Sequence, residues 1–183
     1  MKLTALILAS AFAMAGTASA DVTNPEDGIT YNYLTAEWIR LDPDGGSASD
    51  GGGIILSYSP SDHIYLTGGG AFVDNFSRYN VGVGGFYALM PNLHIAGDIG
   101  ALWADAPGTS SDTGFYVNPH LRWKPIPKLE IHAGATWADV NNDEQWTGYG
   151  RVFFEIFPAV DLTGCFSANS DWQSVSAGVR LRF

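Results

Sequence analysis

Cysteine, charge and long apolar runs are all scarce in this sequence. Cys165 is the single cysteine, so no intramolecular disulfide can staple the chain. No neighbouring His or Lys would activate its thiolate, and it reads as a small buried side chain. Charged residues make up only 15% of the chain, less than a soluble acidic domain normally carries. Bases are the rarer sign, 9 against 19 acids, for a formal charge of −10. That balance argues against binding nucleic acid or an anionic membrane surface by general charge attraction.

Apolar length is confined to the start. Lys2 is followed by the apolar run Leu3 to Ala15 and then by Ala18-Ser19-Ala20. The run is too short to span a bilayer comfortably, and the small-x-small ending fits a signal peptidase site. Residues 1–20 therefore read as a cleaved secretory signal peptide. Its removal leaves 163 of the 183 residues and, with Lys2 gone, a formal charge of −11. Beyond it no apolar run approaches the roughly 20 residues of a membrane helix. Membrane strands are not excluded, because alternation hides them from a hydropathy window.

What is abundant is glycine, 22 residues, and aromatics, 13%. Prolines also recur: Pro60, Pro91, Pro125 and Pro158 are spaced by 31, 34 and 33 residues. A short alternating run follows each, and a cluster rich in Asp, Asn, Ser or Gly lies between them. The repeat is two strands, one tight proline turn and one polar loop, which suits a meander better than a solenoid or propeller.

Ten strands are expected, at Thr30–Leu41, Gly53–Ser59, His63–Val73, Arg78–Leu89, Leu93–Trp103, Thr113–Lys124, Leu129–Asp139, Gln145–Phe157, Asp161–Ala168 and Trp172–Phe183. The alternative is eight, if two of these are not ladder members. Most are near the roughly 9–11 residues a tilted membrane strand needs. The fold class is all-β: a closed, antiparallel, up-and-down transmembrane β-barrel spanning 29–183. A periplasmic N-terminal segment, 21–28, precedes it.

The last strand sets the register. Val175, Ala177, Val179, Leu181 and Phe183 share one face, and Ser174, Ser176, Gly178, Arg180 and Arg182 the other. A soluble barrel would also alternate, with its apolar face inward. Aromatic placement separates the two. On the apolar register Trp38, Trp103, Trp137 and Trp146 fall at the loop ends of their strands. Tyr58, Tyr87, Trp123 and Phe183 fall at the proline-turn ends. Two aromatic belts bracketing an apolar band are what a bilayer selects.

Inward parity then collects Glu37, Asp98, Glu130, Glu155 and Asp161 with Arg78, Arg122, Lys124, Arg151, Arg180 and Arg182. Charges in a narrow lumen pair, because unpaired ones are costly. Glu130 is expected near Arg122 and Lys124, and Asp161 near Arg180 and Arg182. Tyr33, Tyr65, Tyr116, Tyr149 and Phe153 share this face. A barrel of this size is filled largely by side chains.

The signal peptide and Val179-Arg180-Leu181-Arg182-Phe183 resemble bacterial outer-membrane proteins of the Gram-negative envelope. There, Val179, Leu181 and Phe183 would form the signal read by the barrel-assembly machinery. Size and short connections resemble the OmpA/OmpX-like group, without the peptidoglycan-binding domain of its larger members. The Tyr31-Asn32-Tyr33 opening and Gly-rich hairpins resemble the quorum-factor-like barrels of xanthomonads. The resemblance implies residence in the outer membrane and partners of three kinds: outer-membrane lipid and lipopolysaccharide, the assembly machinery, and periplasmic chaperones. It identifies no active site.

Four histidines, His63, His94, His120 and His132, have inward parity toward the proline-turn end. A Zn site would need a recognisable ligand pattern, and their spacing is none; no metal or cofactor is expected. Lipid-modifying barrel enzymes and omptin-like proteases resemble the chain in size and in their use of His. Within its own expected strand, however, none of the four has a Ser or Asp two residues away, since Ser61 lies in the turn before His63. Asp139-x-Asn141-x-Asp143 starts like an EF-hand loop but has Glu144 where Gly is required and Gly150 at the closing Glu position. The reading is a non-catalytic structural or envelope barrel. The alternatives are a narrow, porin-like diffusion channel past Asp98, Arg151 and Tyr149, and an envelope-lipid-modifying enzyme.

Overall fold

The computed structural model describes residues 28–74, 76–105, 112–140 and 143–183. The signal peptide and all but Gly28 of the segment 21–28 lie outside the described residues. The described chain forms β1 (Tyr33–Pro43), β2 (Ser49–Ser61), β3 (Ile64–Val73), β4 (Phe76–Met90), β5 (Leu93–Asp105), β6 (Asp112–Ile126), β7 (Leu129–Val140), β8 (Asp143–Phe157), β9 (Val160–Ala168) and β10 (Trp172–Arg182). Each strand pairs antiparallel with its chain neighbours, and β1 also pairs with β10, so the sheet closes with no free edge. The fold is a ten-stranded, antiparallel transmembrane β-barrel, not the eight-stranded alternative.

All ten strands form where expected, with ends shifted by at most four residues, and three of the shifts have a clear physical cause. Thr30 to Asn32 do not begin β1; they run inside the barrel. The glycine run before the second strand belongs to it, since β2 starts at Ser49 and Gly51 pairs with both Ile39 and Val73. Glycine is a poor strand former by propensity, but a Cβ at Gly51 would lie 1.9 Å from the Phe72 carbonyl oxygen. The ladder closes there because no side chain is present. Phe183 lies one residue past β10, and its amide donates to the Asn32 carbonyl at 3.2 Å.

Proline marks one rim. Ladder irregularities fall at Tyr58/Ser61, Ala88/Met90, Trp123/Ile126 and Glu155/Phe157, one beside each recurring proline. Proline has no N–H for the ladder, so pairing breaks there and the chain turns. At the opposite rim the Asn169 side chain caps the β9–β10 turn, accepting from the Asp171 and Trp172 amides at 2.8 and 2.9 Å.

The outer wall is apolar: Val81, Ile99, Phe115, Val152 and Phe166 are all exposed, Ile99 by 57%. No water-soluble interior covers them, as a lipid-facing band requires. The inner wall mixes polar and aromatic residues with glycine. A Cβ at Gly82 would lie 2.3 Å from the Tyr116 hydroxyl, and one at Gly84 2.2 Å from the Tyr65 ring. These glycines give the lumen tyrosines their room.

Candidate functional site

The lumen has two parts. Its proline-turn half is filled by a charged cluster and by the inserted segment Gly28–Asn32. Its other half is a cavity of about 340 Å³.

The charged cluster centres on Glu130 of β7. Its Oε1 accepts from Arg122 Nη2 at 2.5 Å and Nε at 2.8 Å, and its Oε2 from Arg180 Nη2 at 2.7 Å. Arg180 Nε also donates to Asp161 at 2.6 Å. Arg182 lies 3.2 Å from Asp161 and donates to Glu155. Arg122, Glu130, Asp161 and Arg180 are all buried. Buried charges survive only when paired and hydrogen-bonded, and here one carboxylate serves two guanidiniums from strands on either side. Phe153 lies under the Arg180 guanidinium, 3.6 Å from the ring centre.

Lys124 does not join Glu130. Its ammonium donates to the Gly28 carbonyl at 3.0 Å. Arg122 Nη2 likewise donates to the Thr30 carbonyl at 2.8 Å. Two inward bases thus hold backbone of the inserted segment. Tyr31 anchors it further: its ring stacks on Phe86 at 3.9 Å and lies 4.1 Å from the Arg122 guanidinium. Asn32 Oδ1 accepts from the Ser59 amide at 2.7 Å. Ile29, Tyr31 and Asn32 are almost wholly buried, and burial pushes the Tyr31 phenol pKa upward. The sequence carried a signal of this insertion. Ile29 and Tyr31 continue the inward parity of Tyr33, and an isoleucine suits a polar lumen only if something packs on it.

A second cluster forms the cavity wall. Asn118 on β6 donates to Asp98 at 3.0 Å and accepts from Thr136 at 3.2 Å and Tyr149 at 3.1 Å. Tyr65 donates to the same Asp98 oxygen at 2.9 Å. Arg151 grips Glu37 through both terminal nitrogens, at 2.8 and 3.2 Å, and Ser176 adds a third donor at 3.0 Å. Asn118 was not singled out in the sequence. Its partners come from β5, β7 and β8, so no local spacing shows them. Arg78 lines the cavity and makes no ion pair or hydrogen bond with any described residue.

The histidines do not form one cluster. His63 sits exposed in the β2–β3 turn, its ring edge toward Phe86. His94 is buried beside Tyr31 and Phe86. His120 and His132 stack at 6.2 Å. His132 does share its face with an acid two residues away, Glu130, which a search for Ser or Asp alone passes over. Its Nε2 lies 2.7 Å from Glu130 Oε1 and 3.0 Å from Arg122 Nε. His120 Nδ1 bonds the Asn118 carbonyl at 3.2 Å. These ring nitrogens meet a carboxylate, a guanidinium and a backbone oxygen, and among the described residues neither is bonded to a hydroxyl.

Trp38, Tyr58, Tyr87, Trp103, Trp123 and Trp146 are exposed on the outer wall near strand ends. Trp137 is half-buried there, edge-on to Phe115 at 5.1 Å. Val179 is exposed, and Leu181 and Phe183 are half-buried. The sixth tryptophan, Trp172, lines the cavity instead.

The fold and lumen define a small transmembrane β-barrel. No known family matches the sequence, and no curated protein matches it. Among solved structures the fold is similar to the KdgM porin, with TM-score 0.51 and 10% identity over 81% of this chain and 99% of that one. It is similar also to the NanC porin, with TM-score 0.51 and 11% identity over 82% and 100%. KdgM in complex with disordered oligogalacturonate matches at TM-score 0.50 and 10% identity, over 81% and 99%.

Proposed function

We propose that this protein is an integral outer-membrane barrel with a sealed lumen, serving a structural or envelope role without catalysis. One observation carries the reading: Arg122, Glu130, Arg180 and Asp161 lock together across the proline-turn half while Tyr31 packs against them. Opening a path there would strand buried charges, which is costly. The apolar outer wall and the aromatics near its ends support a bilayer setting, with lipid and lipopolysaccharide as surroundings. Signal-peptide export, chaperone escort and an assembly signal at Val179, Leu181 and Phe183 belong to the same reading. The positions of His120 and His132, bonded to Asn118 and Glu130, favour a structural role over an enzymatic one.

The test is electrical. Pure protein, refolded and heat-modifiable on gels, is added to planar bilayers. The sealed reading expects no stable conductance, and reproducible ohmic channels would overturn it. A narrow diffusion channel is the second reading, and the cavity past Asp98, Arg151 and Tyr149 favours it. In that case neutralising Asp98 and Arg151 should change the current.

A further inference from the structure

We infer that the lumen cavity is a binding site for a small organic carboxylate, anchored by Arg78. The pairing of the inner wall leads there. Arg151 has Glu37, Arg122 and Arg180 share Glu130, and Arg182 has Asp161 and Glu155. Lys124 holds the Gly28 carbonyl. Arg78 is the inward guanidinium left over among the described residues. The cavity's own acids do not compete for it. Glu37 is taken by Arg151 and Ser176, and Asp98 by Tyr65 and Asn118.

A guanidinium is a planar fork of donors that matches a carboxylate with two parallel hydrogen bonds. Partly withdrawn from water and unpaired, it gains most from a ligand that brings the missing charge. The space beside it suits an organic body. Arg78 pairs in the ladder with Ala71, and Asn80 pairs with Gly69, whose other neighbour is Ile55. Ala71 and Gly69 line the cavity with almost no side chain, so the wall is recessed at Ala71 beside Arg78 and Ile55, while Asn80 Oδ1 reaches over Gly69. A ligand with its carboxylate on Arg78 can lay an apolar ring along that recess. At about 340 Å³ the cavity is near the low end of the roughly 300–1,000 Å³ of small-molecule sites.

The inference goes beyond the sealed-lumen reading and does not require it, because the site lies in the unfilled half. The probe is sodium benzoate, with benzamide as its neutral isostere, titrated calorimetrically into the refolded barrel in non-ionic detergent. Saturable benzoate binding is expected, with benzamide weaker by about tenfold or more. Arg78→Gln should remove the preference for benzoate, and Arg78→Lys should restore part of it. Ala71→Leu, which fills the recess and leaves Arg78 in place, should weaken both probes. Heat-modifiable gel mobility identifies which variants fold, and Ala71→Leu decides the matter if Arg78→Gln does not. Absence of saturable benzoate binding to folded wild type would overturn the inference. So would equal benzoate affinity in folded Arg78→Gln, or undiminished binding in Ala71→Leu. A barrel that conducts ions but keeps Arg78-dependent benzoate binding would refute the sealed lumen and support this site.

Discussion

Arg180 on the closing strand reaches Glu130 on β7 at 2.7 Å, spanning β9 and β8 through the lumen. The same carboxylate takes Arg122 from β6 at 2.5 Å. Closure of the barrel is therefore reinforced from inside by one acid shared between strands that do not touch through the ladder.

Glu130→Gln keeps the shape and removes the charge. Two buried guanidiniums then face each other across a neutral amide. Breaking a buried pair in this way costs about 3–5 kcal/mol. Urea unfolding of the refolded barrel, followed by its heat-modifiable mobility, should show a midpoint lowered to match. An unchanged midpoint would mean that Glu130 does not hold the cluster.

Tyr31→Ala removes the ring stacked on Phe86 and facing Arg122. Truncating a buried aromatic costs about 3–5 kcal/mol, most of it here charged to the inserted segment. That segment should leave the lumen more often. Brief conductance events in planar bilayers, absent from wild type, are the expected readout. A silent variant would place the seal in the charged cluster alone.

The raised pKa of Tyr31 has a pH signature. The fold favours the neutral phenol, so its contribution is complete below the unfolded value near about 10 and falls as pH rises above that. Tyr31→Phe cannot ionise. Its unfolding midpoint should therefore decline less than that of wild type above about pH 10. Parallel decline of the two would show that Tyr31 titrates alike in both states.

Ile99 is 57% exposed on the outer wall of β5. If lipid covers it, Ile99→Arg puts a charge into the apolar band at a cost of about 2–4 kcal/mol near the midplane. Urea unfolding in lipid vesicles measures this directly. A neutral effect would show that this face meets water.

Trp172 is the inward tryptophan, and the other five lie on the outer wall. A variant retaining only Trp172 should be quenched by aqueous acrylamide and spared by brominated lipid. A variant retaining only Trp146, exposed by 63%, should respond to the lipid. Reversed quenching would invert the register.

Much of the barrel was readable because its signals are local. Alternation in β10 assigns faces, and Pro60, Pro91, Pro125 and Pro158 punctuate one rim at a near-constant spacing. Propensity misled at Gly51 and Gly52, which belong to β2 and not to a loop; at Gly51 the glycine marks close backbone contact. The pair Glu130 and His132 was visible in its two-residue spacing. Lys124 turning to Gly28, and Asn118 tying three other strands together, had no such spacing to reveal them.

The sequence by itself determined a two-faced meander with an apolar outside, a charged inside and enough strands to close. Those properties depend on period-two alternation and turn chemistry, which act between near neighbours. Only the tertiary structure decided who pairs with whom in the lumen: that Glu130 serves both Arg122 and Arg180, that Tyr31 enters, and that Arg78 is left over. The reason is geometric. Inward side chains meet across the lumen at positions fixed by how strands are staggered around the closed sheet, and that stagger belongs to no single strand.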